Sequence, residues 1–255
     1  MADDHYDPAR RPTRANISAG IAWLTAGLRA GDSLFFSFSG HGAQVRDGSG
    51  LEADGLNETL LPLDHRSAGQ IVDDELNARL VNPLPRGAKL HAVIDACHSG
   101  SVLDLPFTAA LDPRGGGVRW ESEYHHLDPR VAAMKGTAGG FCVQFGASRD
   151  HQTAADTRAL SGGVATGACT YAFIAALERR GLDIAYGELL LEMHRTLGAA
   201  GLGAPGGAPA PDPLGGLFSG GLLGGLLGGG GGGFRGQSPV LSCAWAFDLA
   251  SKFTL

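Results

Sequence analysis

Two short apolar runs constrain this chain more than any other feature. Leu34-Phe35-Phe36-Ser37-Phe38 stops at Ser39-Gly40-His41-Gly42, and Leu90-His91-Ala92-Val93-Ile94 stops at Asp95-Ala96-Cys97-His98-Ser99-Gly100. Nearly continuous apolar runs of this length are the pattern of strands covered on both faces, as in the parallel sheets of α/β proteins. In such sheets, sites assemble beyond the carboxyl ends of the strands. Each run therefore delivers a reactive side chain, His41 or Cys97, to the edge where chemistry is done.

The intervening sequence supports that class. Pro12-Thr13 followed by Ile17, Ile21, Leu24 and Leu28 predicts a capped amphipathic helix ended by Gly31-Asp32. Residues 59–63 and 70–72 read as short extended pieces, and Asp73 to Leu80 as the start of a helix. Residues 106–140, rich in Gly, Pro and charge, read as a long surface loop. A third strand is predicted at Phe141 to Phe145, with helices at about 167–180 and 186–197. Strand, helix and strand in alternation indicate an α/β fold with a mainly parallel sheet. With 255 residues, 44% hydrophobic and 18% charged, the chain can build a substantial core.

Residues 201–236 break the pattern. They hold seventeen of the 41 glycines, six of them consecutive at 228–233. Ordering so much glycine costs more entropy than the few leucines there can offset, so the segment reads as a low-complexity insertion. Folded patterning resumes at Pro239-Val240-Leu241-Ser242.

The formal net charge of −6 argues against a nucleic-acid partner, because phosphate binding needs a basic face. No apolar run approaches the ~20 residues of a membrane span. Met1-Ala2-Asp3-Asp4-His5 is no secretory signal, so the expected location is cytoplasmic. Cys97, Cys142, Cys169 and Cys243 form no Cys-x-x-Cys pair, which argues against a disulfide framework or a zinc knuckle.

A thiol becomes a useful nucleophile when a nearby imidazole stabilises the thiolate, and the two need only meet in the fold. His98 adjoins Cys97, but neighbouring side chains in an extended or turning segment point apart, so His41 is preferred as the base. The N–H groups of Gly42 and Cys97 are the candidate oxyanion donors, since acyl transfer needs two donors aimed at one developing charge. Taken singly, a cysteine after a buried strand is more often a small core residue, and a histidine in a Gly turn a hydrogen-bonded loop residue. Both together at one sheet edge favour catalysis.

Phe38-Ser39-Gly40-His41-Gly42-Ala43-Gln44 and Asp95-Ala96-Cys97-His98-Ser99-Gly100 resemble the His and Cys boxes of metacaspases. Residues 12–17, 31–36, 71–75 and 102–106 are similar to the family's large subunit. Residues 146–156 and the closing Pro239–Ser242 and Phe247–Leu249 are similar to its small subunit, in the type I order. The resemblance implies a caspase-like α/β/α sandwich divided into a large-subunit-like region 1–110, an inter-subunit loop 111–140 and a small-subunit-like region 141–255. It also implies a cysteine endopeptidase cutting after Arg or Lys, stimulated by calcium and self-processing, with no organic cofactor, acting as a monomer on protein substrates.

Ser39 and Asp95 match positions lining the family's basic-residue pocket, where a buried guanidinium needs a paired acceptor. On residue chemistry alone, Asp95 is equally a strand-end turn former. Asp73, Asp74 and Asp104 match the family's calcium carboxylates, with Asn57 at the fourth position in place of the usual aspartate. Without the resemblance, Asp73-Asp74 would read as helix-capping acids. Arg114, Arg119, Arg130 and Lys135 are candidate self-cleavage points.

The family's opening strand–helix–strand has no counterpart here. That expectation leaves the strand at 34–38 with an open edge, an aggregation hazard. The alternative function is a non-proteolytic interaction module; another protease of the same wider clan is a third reading.

Overall fold

The computed structural model describes residues 1–48, 50, 52, 55–96, 102–112, 117–121, 135–147, 167–202 and 238–255. Cys97, Arg114, Arg130, the motif at 148–156 and most of the Gly-rich insertion lie outside them.

Helix α1, Arg14–Leu24, starts where Thr13 Oγ1 accepts the Asn16 N–H at 3.2 Å, satisfying an amide the first turn leaves free. It ends before the predicted Gly31-Asp32 because the chain turns left-handed at Gly27, with φ +69°. Ile17 and Ile21, at helical spacing, are its buried stripe.

Nine strands are described: β1 Ser33–Ser39, β2 Gly42–Arg46, β3 Leu56–Leu60, β4 Ile71–Val72, β5 Lys89–Asp95, β6 Phe107–Leu111, β7 Val118–Glu121, β8 Phe141–Gly146 and β9 Val240–Cys243. The helices after α1 are α2 His65–Ala68, α3 Asp73–Leu76, α4 Ala168–Arg180 and α5 Tyr186–Ala199. The helix start predicted at Asp73 is α3, which continues as a wider π turn over Asn77–Val81.

Six strands form the main sheet in the order β1-β5-β8-β9-β6-β7, while β2, β3 and β4 form a small antiparallel sheet. β1, β5 and β8 pair in parallel. β9 is antiparallel to both β8 and β6, so β6 shares the direction of β8 and the sheet is mixed but mainly parallel.

Strand alternation sorts side chains into two cores. Leu90, Ala92 and Ile94 of β5 pack with Ile17, Ile21, Leu76 and Leu80 on one face. Val93 of β5, with Val143 and Phe145 of β8, packs with Phe173 of α4 and Leu189, Leu190 and Met193 of α5 on the other. Helices on both faces of the central strands make this an α/β/α sandwich.

Two expectations need correction. The run at 34–38 is not buried on both faces: β1 is an edge strand, only Leu34 is fully buried along it, and Phe35 is 46% exposed. The 106–140 stretch is not all loop. Phe107–Leu111 and Val118–Glu121 form a hairpin in the main sheet, anchored by β6 pairing with β9.

His91 is an ionisable side chain inside the core. Its Nε2 lies 2.6 Å from the Tyr186 hydroxyl, with the rings stacked, and its Nδ1 has no hydrogen-bond partner. Burial, with a smaller push from Lys89, lowers its pKa from 6.5 to about 4. The unfolded chain then binds a proton below pH 6.5 that the native state refuses until about pH 4. Stability from neutral His91 is present above 6.5 and is lost as pH falls through this window. Between pH 7 and 4, wild type should lose ~3 kcal/mol more than His91→Leu in denaturant titrations. Parallel losses in the two proteins would refute it.

Candidate functional site

The parallel register of β1 on β5 pairs Ser39 with Asp95, so both strands end at the same sheet edge. The Gly40 N–H donates to the Asp95 carbonyl at 3.1 Å, holding the two exits together. His41 follows, exposed, with its carbonyl accepting the Leu61 N–H at 2.9 Å. That bond leads into β2, where Gly42 pairs with Leu60. The imidazole is thus carried on a short connector between two sheets, pinned by backbone bonds at each end.

Asp95 sits just beneath, 3% exposed. Its Oδ2 accepts the Thr170 N–H at 2.7 Å, in the first turn of α4. A carboxylate there satisfies a free amide and meets the positive end of the helix dipole. Ser39 Oγ lies 3.3 Å from Thr170 Oγ1, so the same helix start touches both strand ends. A strand-end role for Asp95, open on residue chemistry, is therefore present in the fold; here it caps a helix distant in sequence.

A second cluster lies where β3, α3 and residue 104 meet. Asp73 accepts the Glu58 N–H at 2.7 Å and the Asp74 N–H at 2.8 Å. Carboxylate oxygens of Glu52, Asp73 and Asp74 all lie within 4.8 Å of one another. Asn57 is 8% exposed; its Nδ2 faces Asp74 Oδ2 at 3.5 Å, while its Oδ1 is buried without a hydrogen-bond partner. Burial pushes Asp73 well above the ordinary carboxylate range, against the pull of the two N–H donors. Burial likewise raises Glu52 to about 7, against its hydrogen bond from Lys135. Crowded hard oxygens and an orphaned amide oxygen suit a calcium-type cation, which takes several oxygen ligands.

Asp104 joins this cluster through Lys135. The Lys135 Nζ lies 2.6 Å from Asp104 Oδ1 and 2.5 Å from Glu52 Oε1. Burial opposes the ammonium charge, but the two carboxylates more than offset it and raise its pKa. Asp104 holds a left-handed backbone, φ 54°, a conformation that Asp tolerates better than most residues.

Comparison with known proteins gives a consistent likeness. Residues 1–106 match the family described as metacaspase, peptidase C14 domain. Metacaspase-2 of Arabidopsis thaliana is 50% identical over 197 residues, 77% of this chain and 46% of its own length. The chain is similar to metacaspases over about three quarters of its length.

Metacaspase-1 of Arabidopsis thaliana is 48% identical over 77% of this chain and 52% of its own. Metacaspase-1 of Mycosarcoma maydis is 37% identical over 70% of this chain and 52% of its own. The chain spans about half the length of the curated metacaspases it matches. A crystal structure of a Geobacter sulfurreducens protein aligns over 79% of this chain and 75% of its own, at 22% identity and a TM-score of 0.48.

In this chain the structure brings Ser39, His41, Gly42 and Asp95 to one edge, with Cys97 outside the described residues. Cys142, Cys169 and Cys243 are all buried thiols. Burial pushes Cys142 and Cys169 far up and Cys243 to about 12, so none is poised as a nucleophile. Asn57, Asp73 and Asp74 lie together, while Asp104 is paired with Lys135. Lys135 itself is a correction: predicted on a surface loop as a cleavage point, it is 3% exposed. Arg119 lies on β7, 3.8 Å from Asp112. Sequence reasoning missed Glu52; the signal available was a cluster of acids among glycines in Gly48–Gly55, a composition suited to an oxygen-ligand loop.

Proposed function

We propose that this chain is a cysteine endopeptidase cutting peptide bonds after arginine or lysine, stimulated by calcium and able to process itself. The observation that carries the reading is the register pairing Ser39 with Asp95, because the His and Cys boxes follow those two residues. The 48–50% identity to plant metacaspases supports it.

In this reading the Cys97 thiolate attacks the scissile carbonyl, forming a C–S bond while His41 holds the thiol proton. The oxyanion is met by the N–H groups of Gly42 and Cys97. The C–N bond then breaks, His41 gives its proton to the leaving amine, and water cleaves the thioester to return free Cys97. Asp95 and Ser39 face the basic side chain of the substrate. Asn57, Asp73, Asp74 and Asp104, joined by Glu52, would hold calcium, which supplies a divalent charge to offset buried carboxylates.

An arginyl chloromethyl ketone tests this, with the adduct mapped by peptide mass spectrometry. Cys97 should be alkylated, faster with calcium, while buried Cys142, Cys169 and Cys243 stay unmodified. An unreactive Cys97 would favour a non-proteolytic interaction module. Preference for a non-basic electrophile would move the chain to another specificity.

A further inference from the structure

We propose that Lys135 is a built-in competitor for the acidic cluster, its ammonium and a divalent cation alternating on the same carboxylates. The inference takes the identity of the ion from the calcium reading above and does not depend on peptidase activity.

Lys135 is an unusual residue to find at 3% exposure, since lysines are almost never fully buried unless paired. Its ammonium bridges Glu52 and Asp104, two acids far apart in the chain. Glu52 is also one of the three acids whose oxygens converge within 4.8 Å of one another, with Asp73 and Asp74. One carboxylate therefore serves both the ammonium and the cation-like cluster. Asn57, whose Nδ2 lies 3.5 Å from Asp74 Oδ2, adds a buried Oδ1 that has no hydrogen-bond partner among the described residues.

The backbone around Lys135 is fixed independently of its charge. Asn77 Nδ2 lies 3.0 Å from the Lys135 carbonyl, 2.9 Å from that of Leu103 and 3.3 Å from that of Asp104. This buried amide ties residues 103, 104 and 135 into one unit, so the ammonium can leave while its main chain stays. A lysine suits that exchange: it is a point charge on a flexible stem, unlike the rigid fork of arginine.

A hard dication needs several oxygens at once, and Glu52 and Asp104 become available only when Nζ withdraws. Apparent affinity is then reduced by the fraction of molecules in which the ammonium occupies the cluster. The ammonium also keeps Glu52 and Asp104 from facing each other uncompensated while no dication is bound. The two cations thus differ in consequence: one keeps Lys135 inside, and the other turns it out to solvent.

Calcium titrations by calorimetry on the full chain, wild type against Lys135→Met, test this. The methionine keeps the apolar stem and removes the charge, so binding should tighten by roughly tenfold or more. Calcium bound by the variant and not by wild type would be the strongest form of the same result. Equal or weaker binding in a folded variant overturns the competition and leaves the calcium reading standing; binding by neither overturns both.

Because Lys135→Met removes an ammonium that Asp104 and Glu52 both meet, a second measurement uses wild type alone. Acetic anhydride labelling, quantified at Lys135 by mass spectrometry, should rise about tenfold when calcium replaces chelator. Lys135 equally protected in both conditions overturns the proposal even if the variant fails to fold.

Discussion

His41→Ala should lower kcat/KM on arginyl peptides by about 10³-fold, within the range that a positioned acid–base group contributes. Cys97→Ala should remove turnover entirely, because no described cysteine can substitute: Cys142, Cys169 and Cys243 are buried with thiol pKa values pushed upward. The His41 change should cost little stability, because that side chain is exposed and its structural bond is made by its carbonyl. The double variant should be no worse than Cys97→Ala, since residues acting as a unit are not additive. The measurement is initial rates on arginyl and lysyl substrates alongside thermal melts of each variant. Persisting cleavage by Cys97→Ala would remove the proposed nucleophile. Unchanged melting with lost turnover would separate the chemistry of the edge from its folding.

How much of this was legible from residues differs by element, for physical reasons. The run at 90–94 announces itself because β5 is covered on both faces, so every position is apolar except His91, whose Nε2 meets the Tyr186 hydroxyl inside. Phe107-Thr108-Ala109-Ala110-Leu111 is buried only over its three central positions, two of them alanines that favour strands poorly, and its pairing partner β9 lies far along the chain. Local patterning carries no trace of that pairing. The same reasoning overstated β1, whose apolar residues announce a strand covered on both faces while only Leu34 is buried along it. At the site, His41 and Asp95 were readable from their boxes. Lys135 was not, because a single lysine has no periodicity, and its environment exists only once residues 52, 104 and 135 converge. Asp95 shows the intermediate case: the acid is visible, its helix partner is not.

Gly167→Ala should cost about 4 kcal/mol, combining overpacking with loss of a helix cap, and lower Tm by roughly 10 °C. The backbone dihedrals there, φ −66° and ψ 151°, suit any residue, so the requirement for glycine is purely one of space. A Cβ built on Gly167 would fall on the Asp95 carboxylate. That carboxylate has little freedom to yield, being buried at the end of β5 and bonded to the Thr170 N–H. Moving it uncaps α4 and buries a charge away from its donor, which is the costly direction. The Asp95 main chain also accepts the Gly40 N–H next to His41, so the strain reaches the edge that carries His41. Combining Gly167→Ala with Asp95→Ala separates the causes. If the clash dominates, the double variant loses less stability than the two single changes added together, the shortfall being the relieved overlap. Additive losses in thermal or denaturant unfolding would show that the carboxylate and the glycine act independently, and that the close approach between α4 and β5 is not what demands a glycine there.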